Sequence, residues 1–179
     1  MNSPSLIIEG TGRPVPARLL VRGVNWLGDA VMTTPALLRL RERFPQTQIA
    51  LLTPAKIAAI WERHPAVNEV ITFAPGEGVF SVARRLRAGR FDLALVLPNS
   101  PRSALESLLV RIPTRVGYAR PWRTWMLTHA VPERAGFVPM RKRSPAEVRA
   151  LLADSSRGGG APEIPESAHH LHHYLHLTA

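Results

Sequence analysis

Apolar and polar positions along this chain fall into short blocks whose period keeps switching. Residues 18–24, Arg18-Leu19-Leu20-Val21-Arg22-Gly23-Val24, form an apolar run that reads as a strand leading into a glycine-bounded loop. A helical stretch follows to Phe44, with Leu37, Leu40 and Phe44 on one face. Its start has two candidates. Thr34 with Pro35 makes a good N-cap and first-turn pair, and Asp29 is an earlier cap. Residues 48–52 read as a second strand, and 54–64 as a helix that stops before Pro65. Residues 69–73 read as a third strand, and 79–88 as a basic helix closed by Gly89. The clearest buried strand is 91–97 (FDLALVL), ending in Pro98-Asn99-Ser100-Pro101. A helix over 102–110 and a short strand at 115–117 follow. Strands alternating with helices at this spacing predict an α/β fold with a doubly wound, mostly parallel sheet. Ligands of such sheets sit beyond the carboxyl ends of the strands, where Asn25 to Asp29, Asn99 and Ser100 fall.

Beyond residue 120 the pattern weakens. Ser144-Pro145-Ala146-Glu147 has the form of a capping box and predicts a helix towards Asp154. Residues 155–165 (SSRGGGAPEIP) have the composition of a flexible linker. Residues 167–177 read as a last helix. The expected organisation is a flexible leader over 1–17, a domain over 18–143, and a helix, linker and histidine-rich helix over 144–179.

Composition narrows the class. The 179 residues fit one domain with a real core, and 45% apolar with 20% charged residues is ordinary for a globular protein. The absence of cysteine excludes disulfides and thiolate metal sites, and suits a reducing compartment. Residues 1–17 lack a basic n-region, and no stretch approaches the ~18 apolar residues of a membrane span. The expected location is cytoplasmic, with peripheral contact at the cytoplasmic face of the inner membrane left open. A net charge of +10 favours an anionic partner such as nucleic acid, phosphorylated sugar or acidic lipid. An arginine-rich composition gives the same charge without any partner.

Gly23 and Gly28 have the spacing of a phosphate-binding loop. Asp29-Ala30 follow, however, where that motif needs Lys and Ser/Thr, so the nucleotide-hydrolase reading fails. A GxGxxG fingerprint is missing as well, which argues against hydride transfer. What remains is Asp29 at a strand-to-helix loop. Most aspartates in that position only cap a helix, worth about 1 kcal/mol. The functional alternative is a general base beside a cleft, taking the proton from an attacking hydroxyl.

The stretches VRGVNWLGDAVMTTPAL (from Val21), VLPNSPRSAL (from Val96) and IPTRVGY (from Ile112) occur in the order and spacing of a known family. Together they make residues 18–143 resemble the N-terminal half of the bacterial ADP-heptose:lipopolysaccharide heptosyltransferases. The resemblance implies a GT-B fold of two Rossmann-like domains. The N-terminal domain holds the acceptor, the inner core on lipid A, and the C-terminal domain holds ADP-heptose. It also implies that Asp29, after Gly28, is the catalytic base of an inverting transfer that releases ADP. No metal and no cofactor is implied.

Other residues fit this picture beside plainer readings. Asn25 suits sugar hydroxyls, and Trp26 suits stacking on a sugar face or simple packing. Asn99 and Ser100 lie past the best strand, where a Pro-Asn-Ser-Pro turn also needs no function. Arg102, Arg115, Arg120 and Arg123 have the guanidinium fork that suits acceptor phosphates or carboxylates, though each alone reads as a solvated arginine. Arg141-Lys142-Arg143 is a short basic run suited to anionic headgroups or to a solvated loop. The last helix carries five of the seven histidines. His169, His172, His173 and His176 share one face with zinc-like spacing, but no carboxylate or cysteine completes a set. The family's similar helix leading to the interdomain linker is the preferred reading.

The family comparison also implies that a donor domain is missing, so the chain alone is expected to be an inactive acceptor-binding half. The competing classes are a non-catalytic module for anionic glycan or lipid, and a nucleic-acid binder. No recognition-helix or RNA-binding signature supports the latter, and no nucleic-acid partner is expected.

Overall fold

The computed structural model describes residues 15–135, 137, 144–146, 149–150 and 169–178. Six strands form one parallel sheet: β1 (Arg18–Arg22), β2 (Gln48–Pro54), β3 (Glu69–Phe73), β4 (Leu93–Val96), β5 (Thr114–Tyr118) and β6 (His129–Val131). Their order is β3-β2-β1-β4-β5-β6, that of a Rossmann-like sheet. The order reverses between β1 and β4, which pair from Leu19↔Leu93 to Arg22↔Val96. The α-helices whose bounds lie among the described residues are α1 (Leu27–Arg43), α2 (Val79–Leu86), α3 (Pro101–Val110) and α4 (His170–Leu177).

Side-chain alternation along β1 divides the core. Leu19 and Val21 pack with Ala36, Leu37 and Leu40 of α1, and with Tyr174 and Leu177 of α4. Leu20 packs on the opposite face with Val82 and Leu86 of α2. α3 covers that same face further along, where Val96 and Ala104 meet Met126 and Leu127. Each such buried leucine or valine contributes about 1.5–3 kcal/mol, so the two faces fix the strand register together.

Several boundaries differ from the sequence reading. α1 starts earlier than either predicted cap. Trp26 is its N-cap, with extended backbone and no side-chain capping bond, and the Ala30 N–H donates to the Trp26 carbonyl at 2.9 Å. Asp29 therefore lies inside the first turn, and Pro35 lies inside the helix rather than at its start. The expected helix over 54–64 is a 3-10 segment, Ala55–Trp61, which buries Ile57 and Trp61. α2 runs on into a 3-10 turn, Arg87–Gly89, and it is Arg90, not Gly89, that closes this turn in the left-handed region (φ 44°). Gly89 serves close packing instead, since a Cβ there would stand 2.4 Å from the Phe91 ring. β6 is an unpredicted strand, three residues being too short to show a period. The Arg141–Arg143 run, the glycine-rich segment at 155–165 and residues 1–14 lie outside the described residues.

α4 returns to the domain and packs on its core. Tyr174 and Leu177 are buried in the α1 face, and the Tyr118 hydroxyl donates to the His173 carbonyl at 2.7 Å. Among the described residues no helix is long and apolar enough to cross a membrane.

Candidate functional site

A parallel sheet leaves a crevice at the carboxyl ends of its strands where the order reverses. Here that point lies between the loops after β1 and β4. A cavity of about 300 Å³ opens there, lined by Arg22, Asn25, Trp26, Pro54, Lys56, Phe73, Pro75, Ser100 and Arg102. Four residues picked from the sequence, Asn25, Trp26, Ser100 and Arg102, thus share one wall system although they come from two separate loops.

The floor of this cavity is an ion pair that the sequence reading missed. Arg22 ends β1 on the α3 side and is buried. Its Nε donates to Glu106 Oε2 at 2.8 Å, and Glu106 is buried as well. Arg22 Nη1 donates to Asn25 Oδ1 at 3.0 Å and also to the Gly23 carbonyl. Its guanidinium lies 4.6 Å from the centre of the Phe73 ring. Burial lowers the Arg22 pKa from its ordinary value, and the neighbouring Glu106 carboxylate opposes that shift. The second Glu106 oxygen accepts from Arg102 Nε at 3.1 Å, and Arg102 also donates to the Glu77 carbonyl. One carboxylate thus serves two guanidiniums, which leaves the cavity a net positive charge. The signal was present in the sequence: Arg22 follows three apolar residues, and Glu106 is the single acidic residue of α3.

Above this floor, Lys56 Nζ sits 4.8 Å from the centre of the Trp26 ring, and Trp26 remains largely exposed. Lys56 was also missed. Ser100 is the N-cap of α3, its hydroxyl accepting from the Ser103 N–H at 3.3 Å, so its role here is structural as well as lining. Gly28 is exposed, and a Cβ added there would meet nothing within 4 Å.

Asp29 is half-buried in the first turn of α1 and is not among the residues lining this cavity. It lies on the side towards α4, where its charge, after burial, raises the pKa of the Tyr174 hydroxyl. Asn99 also faces α4. Its Nδ2 lies 3.5 Å from His173 Nε2, and its buried Oδ1 has no hydrogen-bond partner among the described residues. His173 stacks on Tyr118 at 3.8 Å between ring centres, and burial pushes its pKa down to about 3. The histidine face does not assemble a metal set. His169 Nδ1 accepts from the Leu171 N–H, His173 is stacked, and no group of three metal-ligating side chains occurs among the described residues.

The other arginines go elsewhere. Arg115 turns away from the crevice, donating to the carbonyls of Met126 (2.7 Å) and Ile112 near the amino end of β5. Arg120, just past β5, pairs with Glu133 and lies 5.5 Å from the centre of the Phe137 ring. Arg123 is fully buried, so a role in binding an external acceptor is corrected to a structural one. Its Nη1 donates to the Pro98 carbonyl, and burial lowers its pKa to about 10.

Comparisons with known proteins agree with this architecture. The family model described as glycosyltransferase family 9 (heptosyltransferase) matches residues 79–167. The chain is 36% identical over 119 residues to lipopolysaccharide heptosyltransferase 2 of Salmonella typhimurium, covering 63% of this chain and 34% of that protein. It is likewise 36% identical to the Escherichia coli enzyme of that name, over 62% of this chain and 33% of that one. The chain thus spans about a third of the length of the curated relatives it matches. The solved E. coli ADP-heptose LPS heptosyltransferase II aligns with a TM-score of 0.55 and 38% identity, over 62% of this chain and 33% of that one. A glycosyl transferase family 9 structure from Veillonella parvula shares the fold, with a TM-score of 0.62 and 22% identity over 76% of this chain and 40% of that one. Sheet order, sequence similarity and structural alignment all converge, and this chain carries a glycosyltransferase family 9 domain.

Proposed function

We propose that residues 18–143 are the acceptor-binding domain of an inverting heptosyltransferase, which moves heptose from ADP-heptose to a sugar of the lipopolysaccharide inner core. The observation that carries this reading is the convergence of Asn25, Trp26, Ser100 and Arg102 on one cationic cavity at the sheet's switch point. Trp26 offers an aromatic face for a sugar, and Asn25, held by Arg22, offers an amide for its hydroxyls. Arg102 and Lys56 suit acceptor phosphates or carboxylates. Asn99 and Arg120 stand on the flank of the same edge, towards α4.

In this mechanism Asp29 is the general base. It takes the proton of an acceptor hydroxyl as that oxygen bonds to the anomeric carbon of the donor. The bond from that carbon to the diphosphate breaks, configuration inverts, and ADP leaves. The first-turn position of Asp29 supports the role, because a carboxylate there is favoured by the helix dipole. The half-exposed side chain leaves it accessible to a second domain that brings the donor. That domain lies outside the third of the relatives' length matched here, and the lipid A-core acceptor would be met at the cytoplasmic membrane face.

The test uses the protein that carries this chain together with its donor-binding part. Asp29→Asn should lower heptose transfer by about 10²–10⁴-fold while acceptor binding is retained. An Asp29→Asn enzyme with the parental kcat ends the assignment.

A further inference from the structure

The hydrogen-bonding character of the cleft is set from beneath it. A guanidinium carries N–H donors and no acceptor, so Arg22 Nη1 meets the Asn25 side chain only through Oδ1, at 3.0 Å. That contact fixes which way the amide faces. Oδ1 is turned to the buried arginine, and the Nδ2 amino group is the end left to the cavity that Asn25 lines. Among the described residues no acceptor takes the Nδ2 hydrogens.

The rest of the wall has the same character. Ser100 carries the other side-chain oxygen, and its hydroxyl is engaged within its own turn. It accepts from the Ser103 N–H at 3.3 Å and donates to Ser103 Oγ at 3.2 Å. Lys56, Arg102 and the Trp26 indole nitrogen have hydrogens to give and no lone pair to offer. With both side-chain oxygens engaged, the side chains around the cavity present donors alone.

Asn25 has no means of holding this orientation by itself. An amide turned end for end keeps its shape, and only a fixed donor beside it tells the two ends apart. Arg22 is that donor, and Glu106 fixes Arg22. The carboxylate takes Arg22 Nε at 2.8 Å on one oxygen and Arg102 Nε at 3.1 Å on the other. The Phe73 ring stands 4.6 Å from the Arg22 guanidinium. Arg22 and Glu106 are 2% and 1% exposed, so both act from below the surface that a ligand meets.

We propose that Arg22 and Glu106 are positioning residues that hold Asn25 as a hydrogen-bond donor, so that the cleft selects a proton-poor oxygen group, a carboxylate or phosphate, on the acceptor. A hydroxyl there would leave its own hydrogen without an acceptor, whereas an oxyanion accepts from every side. Well-packed apolar residues often replace a buried ion pair without loss of stability, so stability does not explain the pair. Orientation does. The role of the pair rests on the acceptor reading above, to which it adds the residues that set the polarity of the site.

The test uses the protein that carries this chain together with its donor-binding part, with ADP-heptose and a deacylated lipid A–inner-core oligosaccharide as substrates. Asn25→Asp keeps the shape of the side chain and still gives Arg22 an oxygen to meet. It turns an oxygen, not an amino group, to the ligand. The acceptor KM should rise about tenfold or more, with kcat falling much less and the melting temperature at or above the parental value. Arg22→Met combined with Glu106→Leu replaces the pair by apolar residues of similar volume. This variant should melt near the parental value and raise the acceptor KM about three- to tenfold, because the freed amide turns. Asn25→Asp retains the buried pair, so it decides the question even where the double variant folds poorly. A parental or lower acceptor KM in Asn25→Asp overturns the proposal, as does a parental KM in a folded double variant. Both outcomes leave transfer by the parental enzyme intact. Absence of that transfer overturns the acceptor reading, and the positioning role with it.

Discussion

Arg22 and Arg123 are both taken out of water in this fold, and their surroundings differ in kind. Arg22 meets a buried carboxylate, Glu106, through its Nε, and its Nη1 donates to Asn25 and the Gly23 carbonyl. Among the described residues Arg123 meets a single carbonyl, Pro98, and its Nε and Nη2 have no partner. Arg22 therefore stays a charged group at the floor of the cleft, able to orient a neighbour. Arg123 is a peg whose guanidinium fills the space above Gly117. Both guanidiniums lie on the α3 face of the sheet, and the one at the cleft is the one with a buried carboxylate beside it. On the α4 side, buried polar groups such as His173 are held neutral and lock loops in place.

The sharpest test of this contrast removes the compensation. Glu106→Ala leaves Arg22 buried without its carboxylate, and such losses cost about 3–5 kcal/mol. Urea unfolding should register that drop, and Asn25 should lose its fixed position. Arg123→Met, by contrast, removes a charge that has no carboxylate partner and should leave stability near the parental value. Equal, large losses in the two variants would erase the distinction.

Much of this was legible in the chain. The strands alternate with helices at spacings that only a parallel sheet accommodates, and the crevice at its switch point follows from topology alone. Asn25, Trp26, Ser100 and Arg102 all line the cavity because they sit in, or one turn past, the two loops that topology singles out. The Arg22–Glu106 pair escaped because its members lie 84 residues apart, and pairing depends on which face of β1 meets α3. Arg123 was misread for a related reason. An arginine between two tryptophans looks solvated until the glycine at 117 is known to lie beneath it. β6 and the docking of α4 rest on contacts with no local periodicity, so neither shows in sequence.

The α4 side gives the second test through pH. His173 titrates at an ordinary 6.5 when unfolded, but burial lowers its folded value to about 3. Between those values the unfolded chain binds a proton that the folded chain refuses, so stability is fully present above pH 6.5 and lost as pH falls through this window. Unfolding free energy should drop by about 2–3 kcal/mol on going to about pH 4 from this group alone. His173→Phe should flatten that slope, since an apolar ring can stack on Tyr118 without titrating. A slope unchanged in His173→Phe would mean that the α4 side does not depend on neutrality.

The finest test concerns the fit around Arg123. A Cβ on residue 117 would approach Arg123 Nη2 to 2.7 Å and the Val96 carbonyl to 3.1 Å. Gly117→Ala should therefore cost about 1–2 kcal/mol, because two packed layers must part. The side-chain contact is the tighter one, and Arg123→Met replaces the planar fork with a flexible chain that can move aside. Combining the two substitutions should then recover about half of the Gly117→Ala loss, a coupling read from a double-mutant cycle. Strict additivity would place the clash at the Val96 carbonyl instead. Arg123 would then be merely adjacent to Gly117, and the contrast with Arg22 would rest on charge alone.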